Sequence, residues 1–152
     1  MRASIAAALA LLVPATLQAQ TAIADLSTAT PIAGSWNYST TTTGSEASFL
    51  NPSALPQLTI RCTKVSRQIT IAKPATAAAA TMTIWTSSSV RPVPASFNPL
   101  TQRVSIEIVS NDPLLDSLAF SRGRLGVTVA GSPSLVVPAW PEVARVVEDC
   151  RA

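Results

Sequence analysis

Two cysteines, Cys62 and Cys150, and the absence of any histidine set the limits on what chemistry this chain can do. Without an imidazole there is no Ser-His-Asp or Cys-His nucleophile pair and no histidine-held metal. Two cysteines alone cannot build a structural zinc site, so no metal and no cofactor is expected. A Ser-Lys pair of the S-x-x-K kind is absent, as are the G-x-S-x-G, Walker and G-x-G-x-x-G loops. The spacing Gly123-Arg124-Leu125-Gly126 reads only as a helix exit running into a strand.

Carboxylate pairs are the remaining route to hydrolysis. Asp112 and Asp116 lie four apart, but Asp112 precedes Pro113. That is a helix start, with a capping carboxylate followed by proline at the first helical position. Asp116 then reads as a first-turn acid favoured by the helix dipole. Glu107 alternates with Arg103 and Ser105 on a polar strand face and is expected to pair with a neighbouring base. No catalytic residue is therefore expected. Trp85 shares a face with Thr81 and Thr83, opposite Met82 and Ile84. Packing under a helix or loop is the simpler expectation for it. The sharper one is a ligand face made of Trp85, Thr83 and Arg91. Trp36 and Trp140 lie on apolar faces and are expected in the core.

The elements that must position these residues follow from hydrophobic period. Leu58, Ile60 and Cys62 alternate with Gln57, Thr59 and Arg61. Ile69 and Ile71, Met82 and Ile84, Val104 to Ile108, and Leu125 to Val129 repeat the pattern. Trp36, Tyr38, Ala47 and Phe49 add earlier strands, and Ser134 to Val137 is a short apolar run. Residues 75–80 are Ala-rich and read as loop, as does Pro92-Val93-Pro94. One short helix starts at Asp112-Pro113 and is expected to end near Gly123. A second starts near Trp140-Pro141, with Trp140, Val143, Ala144, Val147 and Cys150 as one apolar stripe and Glu142, Arg145 and Asp149 facing away. The fold class is mainly β. Seven or eight short strands and two short helices, the second C-terminal, predict a small antiparallel sandwich or barrel-like sheet.

Residues 1–19 read as a signal peptide, with Arg2, an apolar run from Ile5 to Val13, Pro14, and a cut after Ala19; a cut after Ala24 is the alternative. The run is too short to span a bilayer, so no transmembrane anchor is expected in the mature chain. Residues 20–33 are expected as a flexible lead-in, and residues 34–152 as a single β-rich domain. The expected location is periplasmic or secreted. An oxidising compartment and only two cysteines predict a Cys62–Cys150 disulfide, with both residues on buried faces.

Only 12% of the 152 residues are charged, and the net charge is +3. The bases are scattered, from Arg61 to Arg124, which argues against nucleic acid and predicts a solvated basic surface. The segment from Pro56 to Cys62, followed by Arg67 to Ile71, resembles the strand pair of the VasI-like periplasmic proteins associated with type VI secretion. It is also similar to exported alphaproteobacterial relatives, including those of sphingomonad type. A short helix at Leu114 to Phe120, a hairpin from Arg124 to Val137 and a helix from Val143 to Cys150 follow the same order. Residues 75–99 depart from it. The resemblance implies a sandwich-like envelope protein and carries over no catalytic residue.

Three functional readings remain. The first is a non-catalytic binding or accessory module for an envelope protein or small ligand. The second is a structural envelope protein that associates through an exposed strand. The third is an enzyme with an unfamiliar carboxylate site. A concave pocket near Trp85 or Pro92-Val93-Pro94 would favour the first. A long unprotected edge would favour the second, and convergence of Glu107, Asp112 or Asp116 the third. Oligomeric state is not legible.

Overall fold

A computed structural model describes residues 25–26 and 28–152. The leader at 1–19, both cut positions and residues 20–24 lie outside the described residues. The described strands are β1 (Ser35–Thr41), β2 (Gly44–Leu50), β3 (Pro56–Thr63), β4 (Gln68–Pro74), β5 (Thr81–Trp85), β6 (Val90–Pro94), β7 (Ser96–Asn98), β8 (Arg103–Val109), β9 (Arg124–Val129) and β10 (Ser132–Pro138). The helices are α1 (Pro113–Ala119) and α2 (Pro141–Arg151).

Alternating burial sorts the strands into two open antiparallel sheets. The larger has the order β1-β2-β3-β4-β8-β7, and the smaller β10-β9-β5-β6. Leu58, Ile60, Ile69, Ile71, Val104 and Ile106 point inward from the larger sheet to meet Met82, Ile84, Leu125 and Val127 in one core. Helix α2 lies across β2 and β3 on the same side. The sheets do not close on each other, so the barrel-like alternative gives way to a sandwich with four strand edges.

Cys62, buried on β3, and Cys150, buried on α2, form a disulfide with Cα atoms 5.4 Å apart. Asp112 caps α1, accepting from the Leu114 N–H at 2.8 Å, with Pro113 in the first turn. The helix is shorter than expected. Phe120 caps it, and Gly123, at φ +80°, turns the chain into β9.

Several expectations need correction. Pro92-Val93-Pro94 is not a loop but part of β6, and β7 follows it. Pro92 and Pro94 hid β6, but β6 is an edge strand, where a missing N–H can face solvent. Trp140 is 41% exposed. It stands in extended backbone just before α2, so it falls off the helical stripe, which buries Val146 instead. Asp149 does not simply face away, since it accepts from the Tyr38 hydroxyl at 2.6 Å. The described part of the lead-in is docked. Leu26 is buried, the Ile32 N–H donates to Val136 O at 2.9 Å, and Arg124 Nη1 donates to Ala29 O at 2.6 Å. The basic residues are not uniformly solvated. Lys73 occupies an inward position at the end of β4, is 5% exposed, and donates to Ser132 Oγ and Pro133 O.

Candidate functional site

The register of the smaller sheet fixes which side chains share its outer face. Thr83 stands opposite Pro92 on one side and Thr128 on the other, and Trp85 stands opposite Val90 and Gly126. Directly opposed residues point to the same face, so Thr83 and Trp85 share the outer face, as expected. Trp85 is half-buried, and its Nε1–H donates to Thr128 Oγ1 at 3.4 Å.

Gly126 makes the floor of this region. A Cβ at that position would lie 2.7 Å from Leu26 Cδ1 and 3.0 Å from Trp85 Cβ, so only glycine lets the lead-in settle beside the indole. Beyond it opens a cleft of about 420 Å³, lined by Leu26, Trp85, Val90 and Gly126 on its apolar side and by Asp25, Thr86, Ser87, Arg122 and Arg124 on its polar side.

Two loops form the rim. After β5 the chain turns back through a bond from Thr86 N–H to Ser89 O at 2.9 Å, and Thr86 Oγ1 accepts from the Ser89 N–H at 2.9 Å. This turn exchanges hydrogen bonds with the segment between α1 and β9. The Ser87 N–H donates to Ser121 Oγ, and the Arg122 N–H donates to Ser87 Oγ, both at 3.0 Å. Ser121 Oγ in turn donates to Arg124 O at 3.0 Å. The Arg124 side chain is committed to Ala29 O. The exposed Arg122 guanidinium has no partner among the described residues.

Arg91 does not join Trp85 and Thr83. It stands opposite Ile84, an inward residue, and so belongs to the other side of β6. There it grips Asp112 through both guanidinium arms. That bond, with a smaller part from the Leu114 N–H, holds the Asp112 carboxyl below its ordinary value although burial opposes it.

The carboxylates do not converge. Asp112 is held by Arg91, and Asp116 pairs with Arg151 at 2.7 Å. Glu107 points from β8 to the outer face of the larger sheet. Contrary to expectation it has no ion pair among the described residues, because its neighbour on β4 is Thr70 and the nearby Arg61 is taken by Glu46. Among the described residues, no cluster of three or more Cys, Asp or Glu is placed to hold a metal ion.

Sequence reasoning missed Leu26, Ser87 and Arg122. One signal was present for the cleft. Gly126 interrupts an otherwise regular strand, and a glycine there marks a close approach by another part of the chain. The chain matches no protein-family model, no curated protein and no solved structure.

Proposed function

We propose that this is an exported, non-catalytic binding or accessory module that takes a small ligand in the Trp85 cleft. The observation that carries the reading is the rim. Two loops that exchange hydrogen bonds hold a half-buried indole and a guanidinium unpartnered among the described residues around an open, partly apolar space. A pocket fixed before binding loses little freedom when a ligand enters. The apolar wall and the two guanidinium groups of Arg122 and Arg124, set against the one Asp25 carboxylate, favour a ligand with an apolar body and one acidic group. Titration with decanoate should move the Trp85 indole N–H resonance, and Arg122→Gln should weaken the effect. An indole resonance unmoved by decanoate, or moved equally by decanol, would count against the reading.

Export is part of the proposal. A disulfide and, among the described residues, no helix long and apolar enough to cross a membrane are compatible with it. Kinship with the VasI-like periplasmic proteins belongs to the same reading. The mass of protein recovered from the periplasm should lack 19 residues, or 24 if the cut follows Ala24. Turnover of an ester, peptide or glycoside that disappears in Glu107→Gln or Asp116→Asn would overturn the non-catalytic part.

A second reading, association through a strand, is favoured by β1. Three of the four edges are guarded. β6 carries two prolines, β7 has three residues, and β10 is bulged and receives the lead-in. β1 runs seven residues without a charge or a proline. Sedimentation at rising concentration tests it, and a monomer throughout would remove self-association.

A further inference from the structure

The outer face of the larger sheet holds a second site, separate from the Trp85 cleft. A hollow of about 490 Å³ opens over β2, β3, β4 and β8. Its shape follows from side-chain size. Ser48, Thr59 and Ala72 stand in one cross-strand row, and Thr70 lies beside them, so the floor is made of short side chains. Arg61 and Arg103 rise at its margins.

The two arginines are in different electrostatic states. Arg61 is neutralised by Glu46, to which it donates through Nε at 2.6 Å. The other oxygen of Glu46 accepts from Ser48 Oγ at 2.9 Å, so that carboxylate is fully engaged. Among the described residues no carboxylate pairs with Arg103. It leans over Ala72, and its Nη2 donates to Thr59 Oγ1 at 3.0 Å and to Ala72 O at 3.1 Å. Its Nε and Nη1 have no partner among the described residues. Glu107 shares the strand face but sits four residues along β8, roughly 13 Å away at the rise of a strand. Arg103 is half-buried, and that burial pushes its guanidinium below the ordinary value. Glu46 opposes the shift and Arg61 adds to it. A cation withdrawn from water without a counter-charge is costly, and an incoming anion removes that cost.

We propose that this hollow is an oxyanion site, in which Arg103, with Arg61 beside it, receives the phosphate, sulfate or carboxylate group of a small ligand whose hydroxyls meet Thr59, Thr70 and Ser48. A guanidinium fork matches the geometry of such a group. The volume exceeds that of a bare ion, so the ligand carries more than its charged group.

The test uses the oxidised protein and follows backbone amide resonances during titration with inorganic phosphate, with glucose 6-phosphate, and with chloride at matched ionic strength. Phosphate should shift Thr59, Arg61, Thr70 and Ala72 saturably while chloride does not, and glucose 6-phosphate should bind more tightly than phosphate. Arg103→Gln should weaken binding roughly ten- to a hundredfold, the scale of losing charge-assisted hydrogen bonds. Arg61→Gln should weaken it less and serves as the second probe if the first variant folds poorly. Identical shifts with chloride, or phosphate affinity unchanged in both variants, would overturn the site. Equal affinity for phosphate and glucose 6-phosphate would overturn the role of the hydroxyls.

Discussion

Arg91 holds both carboxylate oxygens of Asp112, at 2.6 and 2.8 Å, and thereby fastens the edge strand β6 to the start of α1. The same Asp112 oxygen that meets Nη1 also accepts from the Leu114 N–H. One side chain thus serves as helix cap and as strand anchor. Asp112→Ala loses both roles and should cost about 1–2 kcal/mol, with most of it from the cap because Arg91 is partly solvated. Asp112→Asn keeps the cap and should cost less. The Asp112 carboxyl titrates below its ordinary value of 3.8 in the folded protein. Its contribution is therefore complete above that value and is lost as pH falls through the lowered folded value. Urea unfolding at pH 6 and near pH 2 checks this. An Asn variant as costly as the Ala variant would remove the capping role.

The Cys62–Cys150 bond joins positions 88 residues apart and ties α2 to β3. Closing a loop of that length restricts the unfolded chain by about 4–5 kcal/mol on the loop-entropy argument. Cys150→Ser should lower the melting temperature strongly. Helix α2 should remain partly docked, since Val143, Val146 and Val147 stay buried and Tyr38 still bonds Asp149. Thiol titration of the denatured, unreduced protein should find no free thiol.

The three tryptophans should rank clearly in acrylamide quenching when each is retained alone. Trp36 is 6% exposed, donates to Pro138 O at 2.8 Å and meets Phe49 edge-on, so it should be quenched least. Trp85, half-buried at the cleft, should be intermediate, and Trp140 should be quenched most. Quenching of Trp85 equal to that of Trp140 would mean that Leu26 does not cover it in solution.

Alternation made the inward faces of β3, β4, β5, β8 and β9 legible in the sequence, and the pair Asp112-Pro113 marked a helix start. Period alone could not place Trp140, because it stands one residue outside the helix whose stripe its spacing continues. It could not find β6, because prolines argue against strands except at edges, and edges are a property of the whole sheet. The cleft was half legible. Trp85 and Thr83 share a face by simple alternation. Arg91 was assigned to that face although it stands on the next strand, where register rather than sequence distance sets direction. Leu26 and Arg122 come from segments with no period at all.

Lys73 is the one lysine drawn into the interior among the described residues, and burial lowers its amine below the ordinary 10.5. Folding therefore disfavours the charged form. Between the lowered folded value and 10.5 the unfolded chain binds more protons, so this residue makes stability rise with pH across that window. Tyr38 works in the opposite direction above its ordinary value of 10.0. Its hydrogen bond to Asp149 raises it, and that contribution is lost as pH rises through the folded value. Subtracting a Lys73→Met variant isolates the lysine, because Tyr38 is common to both proteins. The variant should be within about 1 kcal/mol of wild type at pH 7, since apolar replacement of a buried charge is often neutral. Its stability relative to wild type should then fall as pH climbs toward 10.5. A difference that stays flat with pH would show that the amine is solvated.

Gly126 couples the lead-in to the cleft, and a single methyl tests the coupling. A Cβ there would press on Leu26 Cδ1 at 2.7 Å and on Trp85 Cβ at 3.0 Å. The Leu26 side chain belongs to a segment anchored by only a few bonds, so it should yield before the sheet does. Gly126→Ala should destabilise the fold by about 1–3 kcal/mol, the usual range for overpacking. It should also raise acrylamide quenching of Trp85 as Leu26 lifts away. Leu26→Ala alone removes buried apolar surface and should itself be destabilising. In the double variant the two costs should not add, because the alanine at position 26 leaves room for the new methyl. Additive costs would mean that Leu26 and Gly126 do not touch in solution, and the apolar wall of the cleft would then have to be drawn without the lead-in.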